Sequence, residues 1–200
     1  MPSPIGHSLA GLALGRVLAP DTGSGSRRFL LLAVIAANAP DLDILAGAAA
    51  GRINAFHPSE SHSLAAVAVV AAIAAVTLGR RWGLPGRVAA VAACAYASHI
   101  GLDYICGPPG RVLNLPLLWP LSDAQFISSW LPFEGFMHGP RGAGIAAFLA
   151  GVFSPKNTVV VFREVVRLGP FVATAWMLRR PAPRRDPAAA VEAQSRERPV

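Results

Sequence analysis

The chain has 200 residues, of which 53% are hydrophobic and only 14% charged, with a mean hydropathy of +0.45. So little charge beside so much apolar surface excludes a disordered protein; it sets an all-α, membrane-embedded helical bundle ahead of a soluble Ala-rich one. A net charge of +7 raises nucleic acid as a partner, but the arginines fall in short clusters without the interleaved aromatics of a nucleic-acid groove. Clusters that flank apolar stretches match the cytoplasmic loops of a multi-pass inner-membrane protein instead.

Uncharged apolar runs predict helices over 5–19 and over 28–40, the second stopped by Pro40. A third covers 61–79 with Ser59 or Ser61 as its N-cap, and a fourth covers 87–106 before the breaker Gly107-Pro108-Pro109-Gly110. Residues 111–140, rich in Pro, Trp and Phe, read as an irregular excursion with short helices. Two more helices follow at 142–153 and 158–178. The Pro-, Arg- and Glu-rich residues 179–200 read as a disordered tail to a single domain of residues 1–178. No run reaches the roughly 20 charge-free residues of a standard spanning helix, and 63–79 comes closest. Cys94 and Cys106 fall on the fourth predicted helix, about 18 Å apart at the helical rise, too far for a disulfide. The N-terminal MPSPIGHSLAG lacks the basic region of a secretory signal, so insertion is expected to be directed by the later helices.

The polar residues gather. Taken as an up-and-down bundle, the helices put His7, Asp41, Asp43, His57, His62, His99 and Asp103 at one end and Arg27–Arg28, Arg80–Arg81 and Arg87 at the other. His99 and Asp103, four apart, project from one helix face. Asp41 and Asp43 flank Leu42, and in an extended segment both carboxylates point the same way. Imidazole and carboxylate together suit zinc or another divalent first-row metal. Each piece alone has a simpler reading: Asp41 or Asp43 as a helix-ending residue, His62 as a cap, His99 with Asp103 as a hydrogen-bonded pair. Ionisable groups within apolar segments are costly to bury, and their convergence at one end favours a shared metal site.

In order, His7, Pro40-Asp41-Leu42-Asp43, His57-x-x-x-x-His62-Ser63, His99-x-x-x-Asp103 and Leu118-Trp119-Pro120 resemble the YdjM-type family over about residues 3 to 122. Its members are inner-membrane proteins described as membrane-bound metal-dependent hydrolases. That family is similar in turn to the all-helical zinc-dependent phospholipase C and nuclease superfamily. The resemblance implies that Asp41 or Asp43, His62, His99 and Asp103 are metal ligands, and that His7 belongs to an adjacent metal position sharing Asp103. It also implies hydrolysis of a phosphoester, with a phospholipid among the candidate substrates. Two departures stand out. The family carries Arg-Gly after the first histidine of the third motif, where this chain has Pro58-Ser59. Of the further ligands in the phospholipases, only Glu134 and His138 are candidates here.

The expected chemistry is attack by a metal-activated water. Arg52 or Arg111 steadies the phosphoryl oxygens, and whichever of Asp41 and Asp43 is not bound to metal serves as general base or orients a ligand. The rivals are a metal-handling or transport protein using the same cluster and a non-catalytic membrane scaffold. The positive-inside rule places Arg27–Arg28 and the 80–87 loop in the cytoplasm and the metal end at the outer face. Because two further spans would then bring Arg179–Arg180 out on the metal side, one of the last helices is expected to be interfacial or re-entrant, and 158–178, interrupted by Arg163, Glu164 and Arg167, is the expected one.

Overall fold

The computed structural model describes residues 1–20, 23–53, 55–107, 114–139, 142 and 144–179. Helix α1 (Pro4–Leu18) starts at Ser3, whose side chain accepts the Gly6 N–H, with Pro4 in the first turn where a missing N–H costs nothing. Helix α2 (Gly23–Asn38) runs back antiparallel to it. Gly11 and Gly15, one turn apart on α1, make the crossing close: a Cβ on Gly15 would stand 2.7 Å from the Ala33 Cβ, and one on Gly11 2.8 Å from the Ala33 carbonyl oxygen. Small residues at this spacing let two helix backbones approach closely. Gly15→Leu is therefore expected to cost about 1–3 kcal/mol of stability through overpacking. Thermal unfolding in detergent would check this against Gly86→Ala, where an added Cβ meets nothing within 4 Å.

Pro40 cannot donate a backbone hydrogen bond, so α2 gives way to a 3-10 turn, Pro40–Leu42, and then to the short α3 (Asp43–Ala49). A second 3-10 turn, Glu60–His62, leads into α4 (Leu64–Ala74), which passes through a π-helical turn at Ala75–Gly79 into α5 (Arg80–Trp82). Helix α6 (Pro85–Tyr104) is the centre of the bundle and packs on α1, α2 and α4. Its buried positions, Val88, Val91, Ala92, Ala95, Tyr96, His99, Ile100 and Asp103, recur every three or four residues. One inward stripe thus changes from aliphatic to His and Asp as it nears the helix end. Beyond it, β1 (Cys106–Gly107) pairs in parallel with β2 (Phe133–Glu134), and Leu115 bridges Phe126. Helices α7 (Ile145–Val152) and α8 (Pro155–Leu178) close the described chain, bent by 51° where they meet.

Several boundaries differ from the sequence reading. The third helix is capped by Ser63, which accepts the Ala66 N–H; neither Ser59 nor Ser61 caps it, because their hydroxyls bond Asp43. Cys106 lies in β1, past the end of α6, and both cysteines are free. Among the described residues of 111–140, strand pairings and turns stand where short helices were expected; Arg111 lies outside the described residues. Of the tail, only Arg179 is described. Among the described residues, one helical stretch, Leu64–Trp82, is long and apolar enough to cross a membrane. Two bent pairs, Ser26–Asn38 with Pro40–Ala49 and Ile145–Val152 with Pro155–Leu178, raise the number to at most three if each is one span.

Residues 158–178, expected to be interfacial or re-entrant, pack along α1. Ser3 bonds Glu164 through both its backbone N–H, at 2.7 Å, and its hydroxyl, while Arg179 donates to the Val17 carbonyl. Helix α8 therefore runs along α1 in the same direction from end to end. The buried Glu164 accounts for this: it accepts at the start of α1, where backbone N–H groups lack helical partners. Arg16 and Arg179 meet at the far end, where Arg16 also covers the Trp176 ring. Trp82 packs edge-on against Phe29, its ring centroid 5.3 Å away, which brings Arg80–Arg81 beside Arg27–Arg28.

Candidate metal centre

At the opposite end, four side chains from three elements converge. His99 projects inward from α6 with Asp103 one turn on, His62 ends the turn before α4, and Asp41 sits in the turn after α2. The Nε2 atom of His99 lies 3.3 Å from His62 Nε2, 3.3 Å from Asp41 Oδ1 and 3.3 Å from Asp103 Oδ2. His62 Nε2 is 3.3 Å from the same Asp103 oxygen and 3.7 Å from Asp41 Oδ1. A tetrahedral ion with bonds of 2.0–2.1 Å sets its ligand atoms about 3.3–3.4 Å apart, which four of these five separations match, the His62–Asp41 one being longer at 3.7 Å.

The protons of the two imidazoles are already committed elsewhere. His99 Nδ1 is 2.7 Å from the Ala37 carbonyl, one of those left unpaired at the end of α2, and a carbonyl can only accept. His62 Nδ1 is 2.9 Å from Ser61 Oγ, whose own proton goes to Asp43 Oδ2 at 3.0 Å. Both Nε2 atoms are then lone-pair donors that face each other and two carboxylates. Asp41 Oδ1 and both oxygens of Asp103 are buried without a hydrogen-bond partner. Four electron-pair donors turned toward one point, with no proton assigned to it, fit a bound cation. Without one, protons must fill the place: burial alone would lower the His62 pKa, but Asp103 and Asp41 outweigh it and hold it above the ordinary imidazole value.

The remaining predicted residues surround this quartet. His7 stacks on His99, ring centroids 3.7 Å apart, with Nε2 3.4 Å from Asp103 Oδ1, and neither of its nitrogens makes a hydrogen bond. Asp43, His57 and His62 form a second group whose donor atoms lie within 4.8 Å of one another. Asp41 and Asp43 do not sit on an extended strand; helical geometry sends Asp41 toward His99 and Asp43 toward His57, whose Nδ1 is 2.7 Å away. The Glu134–His138 pair separates: Glu134 is exposed and bonded to Arg163, while the His138 ring lies 5.9 Å from that of His57. Burial and the neighbouring His57 push the His138 pKa down to about 4. Arg52 is exposed beside Gly142.

Sequence reasoning overlooked Tyr96, whose hydroxyl bonds the Ser61 carbonyl at 2.7 Å, and gave Ser59 and Ser61 the wrong task. The crowding of polar residues from His57 to Ser63 was the available signal. No curated protein and no solved structure matches the chain. The YdjM inner membrane protein family, by contrast, matches residues 1–181, a stretch that contains every residue of the quartet and of its surroundings, and the chain belongs to that family.

Proposed function

We propose that the chain is a membrane-bound metal-dependent hydrolase of phosphoesters. The observation that carries this reading is the quartet of Asp41, His62, His99 and Asp103, whose donor atoms are buried, mutually facing and spaced for one small divalent ion. Nitrogen and carboxylate donors without thiolate favour zinc among the common metals. When bound, zinc supplies a Lewis acid and brings the pKa of water down to about 7. Asp41 is the one member with exposed side-chain surface, 15% against zero for the other three, so water and substrate reach the centre from its side. Arg52, exposed beside Gly142, is the cation proposed to meet the phosphoryl oxygens. The phosphoester class is taken from the resemblance of the ordered His and Asp motifs to zinc-dependent phospholipases and belongs to the proposal. Gathering of the polar groups at one end, not along the helices, favours a pocket over a transport path.

The sidedness belongs to the same proposal. Arg16, Arg27–Arg28, Arg80–Arg81 and Arg179 share one end of the bundle, and the positive-inside rule places that end in the cytoplasm. The centre then works at the outer face of a multi-pass protein. The protein purified in detergent is expected to turn over an aryl phosphodiester or a micellar phospholipid, to lose that activity with a chelator and to regain it with zinc. Bound zinc with no turnover of either substrate, or turnover indifferent to chelation, would overturn the reading.

A further inference from the structure

We propose that Ser61 is a positioning residue which, with Asp43 behind it, holds His62 in the tautomer that presents Nε2 to the metal; the inference rests on the metal-centre reading above. Both oxygens of Asp43 are already engaged in hydrogen bonds. Its Oδ1 receives His57 Nδ1 at 2.7 Å, and its Oδ2 receives the Ser59 N–H at 3.1 Å, the Ser59 hydroxyl at 2.9 Å and the Ser61 hydroxyl at 3.0 Å. A carboxylate only accepts, so the single proton of Ser61 points at Asp43. The serine oxygen that faces His62 Nδ1 at 2.9 Å is then an acceptor, and the imidazole proton must sit on Nδ1. The direct path from Asp43 to that nitrogen is 3.6 Å, too long for a hydrogen bond, so the hydroxyl is the link.

The turn itself is fixed from two sides. Tyr96, from the buried stripe of α6, binds the Ser61 carbonyl at 2.7 Å, and the His62 N–H donates to the Ser59 carbonyl at 2.9 Å. Asp43 thereby serves both histidines of the His57–His62 segment, one directly and one through Ser61. A carboxylate behind a metal-binding imidazole fixes the ring and strengthens its lone pair. Here a serine extends the carboxylate's reach by one hydroxyl. Asp43 accordingly leaves the ligand set and becomes part of its support.

The test is zinc affinity of the full chain in detergent, measured by competition with a chromogenic chelator. Ser61→Ala is expected to bind zinc about 10- to 100-fold more weakly, the usual cost of losing such a partner. Ser61→Thr, which keeps the hydroxyl, should restore wild-type affinity. Ser59→Ala, which removes a donor to Asp43 but none to a histidine, should stay near wild type. Ser61→Cys keeps the volume with a poor acceptor and should fall with Ser61→Ala, which covers the case in which the alanine variant does not fold. Wild-type affinity in Ser61→Ala or Ser61→Cys, or equal losses in Ser59→Ala and Ser61→Ala, would overturn the relay while leaving the metal centre standing. A wild-type chain that takes up no zinc would overturn the metal centre and the relay together.

Discussion

Asp103→Asn and His99→Ala are each expected to abolish stoichiometric metal binding, from one ion per chain to none detectable by elemental analysis of the purified protein. Asp103 is the common member of the site: its Oδ2 faces both His62 and His99 at 3.3 Å, and its Oδ1 faces His7 at 3.4 Å. The asparagine keeps the shape and removes the charge, leaving two imidazoles and Asp41 to hold a dication in a place open only on the Asp41 side. Removal of one partner from a buried charged group exposes the rest to an uncompensated desolvation penalty. His99 contributes by a different route, since its Nε2 contacts all three other donors while its Nδ1 is anchored on Ala37. Glu134→Gln is the matched control; its carboxylate lies on the surface with Arg163 and should leave metal content unchanged. Retention of a full equivalent of metal by Asp103→Asn would refute the quartet as the site.

Single cysteines introduced into a cysteine-free chain should divide cleanly by position when intact cells meet a membrane-impermeant maleimide. Glu60→Cys, exposed next to His62, is expected to react from outside. Leu84→Cys and Arg179→Cys should react only after the membrane is opened. Leu84 follows the arginine-bearing end of α5, and Arg179 sits against Val17 at the end of α1 that bears Arg16. The three positions separate two ideas. Reversed labelling of 60 and 84 would show that the bundle is inserted the other way. Labelling of 179 with 60 would show that α8 does not follow α1 through the bilayer, whatever the orientation of the rest.

Much of the site was legible because its chemistry is expensive. His and Asp within apolar helices have few purposes, and a spacing of four on a helix puts His99 and Asp103 on one face without any knowledge of the fold. The ends at which they gather follow from counting alternating helices, which needs only the short loops between them. Asp41 and Asp43 were harder to separate. Their placements differ because Pro40 ends α2 in a 3-10 turn, and the rotation across two helical residues is about 200° in α and about 240° in 3-10 geometry, so neighbours but one point apart. An extended segment, the simpler reading of Pro-Asp-Leu-Asp, would have aligned them.

Helical class, the stripe of α6, the arginine clusters and the identity of the polar set were thus determined by the sequence itself, since each depends on periodicity or on the cost of charge in an apolar setting. The tertiary structure alone decided the course of α8 and which members of the polar set face one another in the quartet and which stand behind it. Arg163, Glu164 and Arg167 look like interruptions along the chain, yet Glu164 turns inward to bind Ser3 while Arg163 pairs with Glu134 at the surface. Likewise Ser59 and Ser61 have the spacing of caps, and only their distance to Asp43 shows whose hydrogen bonds they complete. Local pattern fixes which groups must find partners; which partners they find depends on contacts between residues far apart in the chain, and those exist only once the helices have packed.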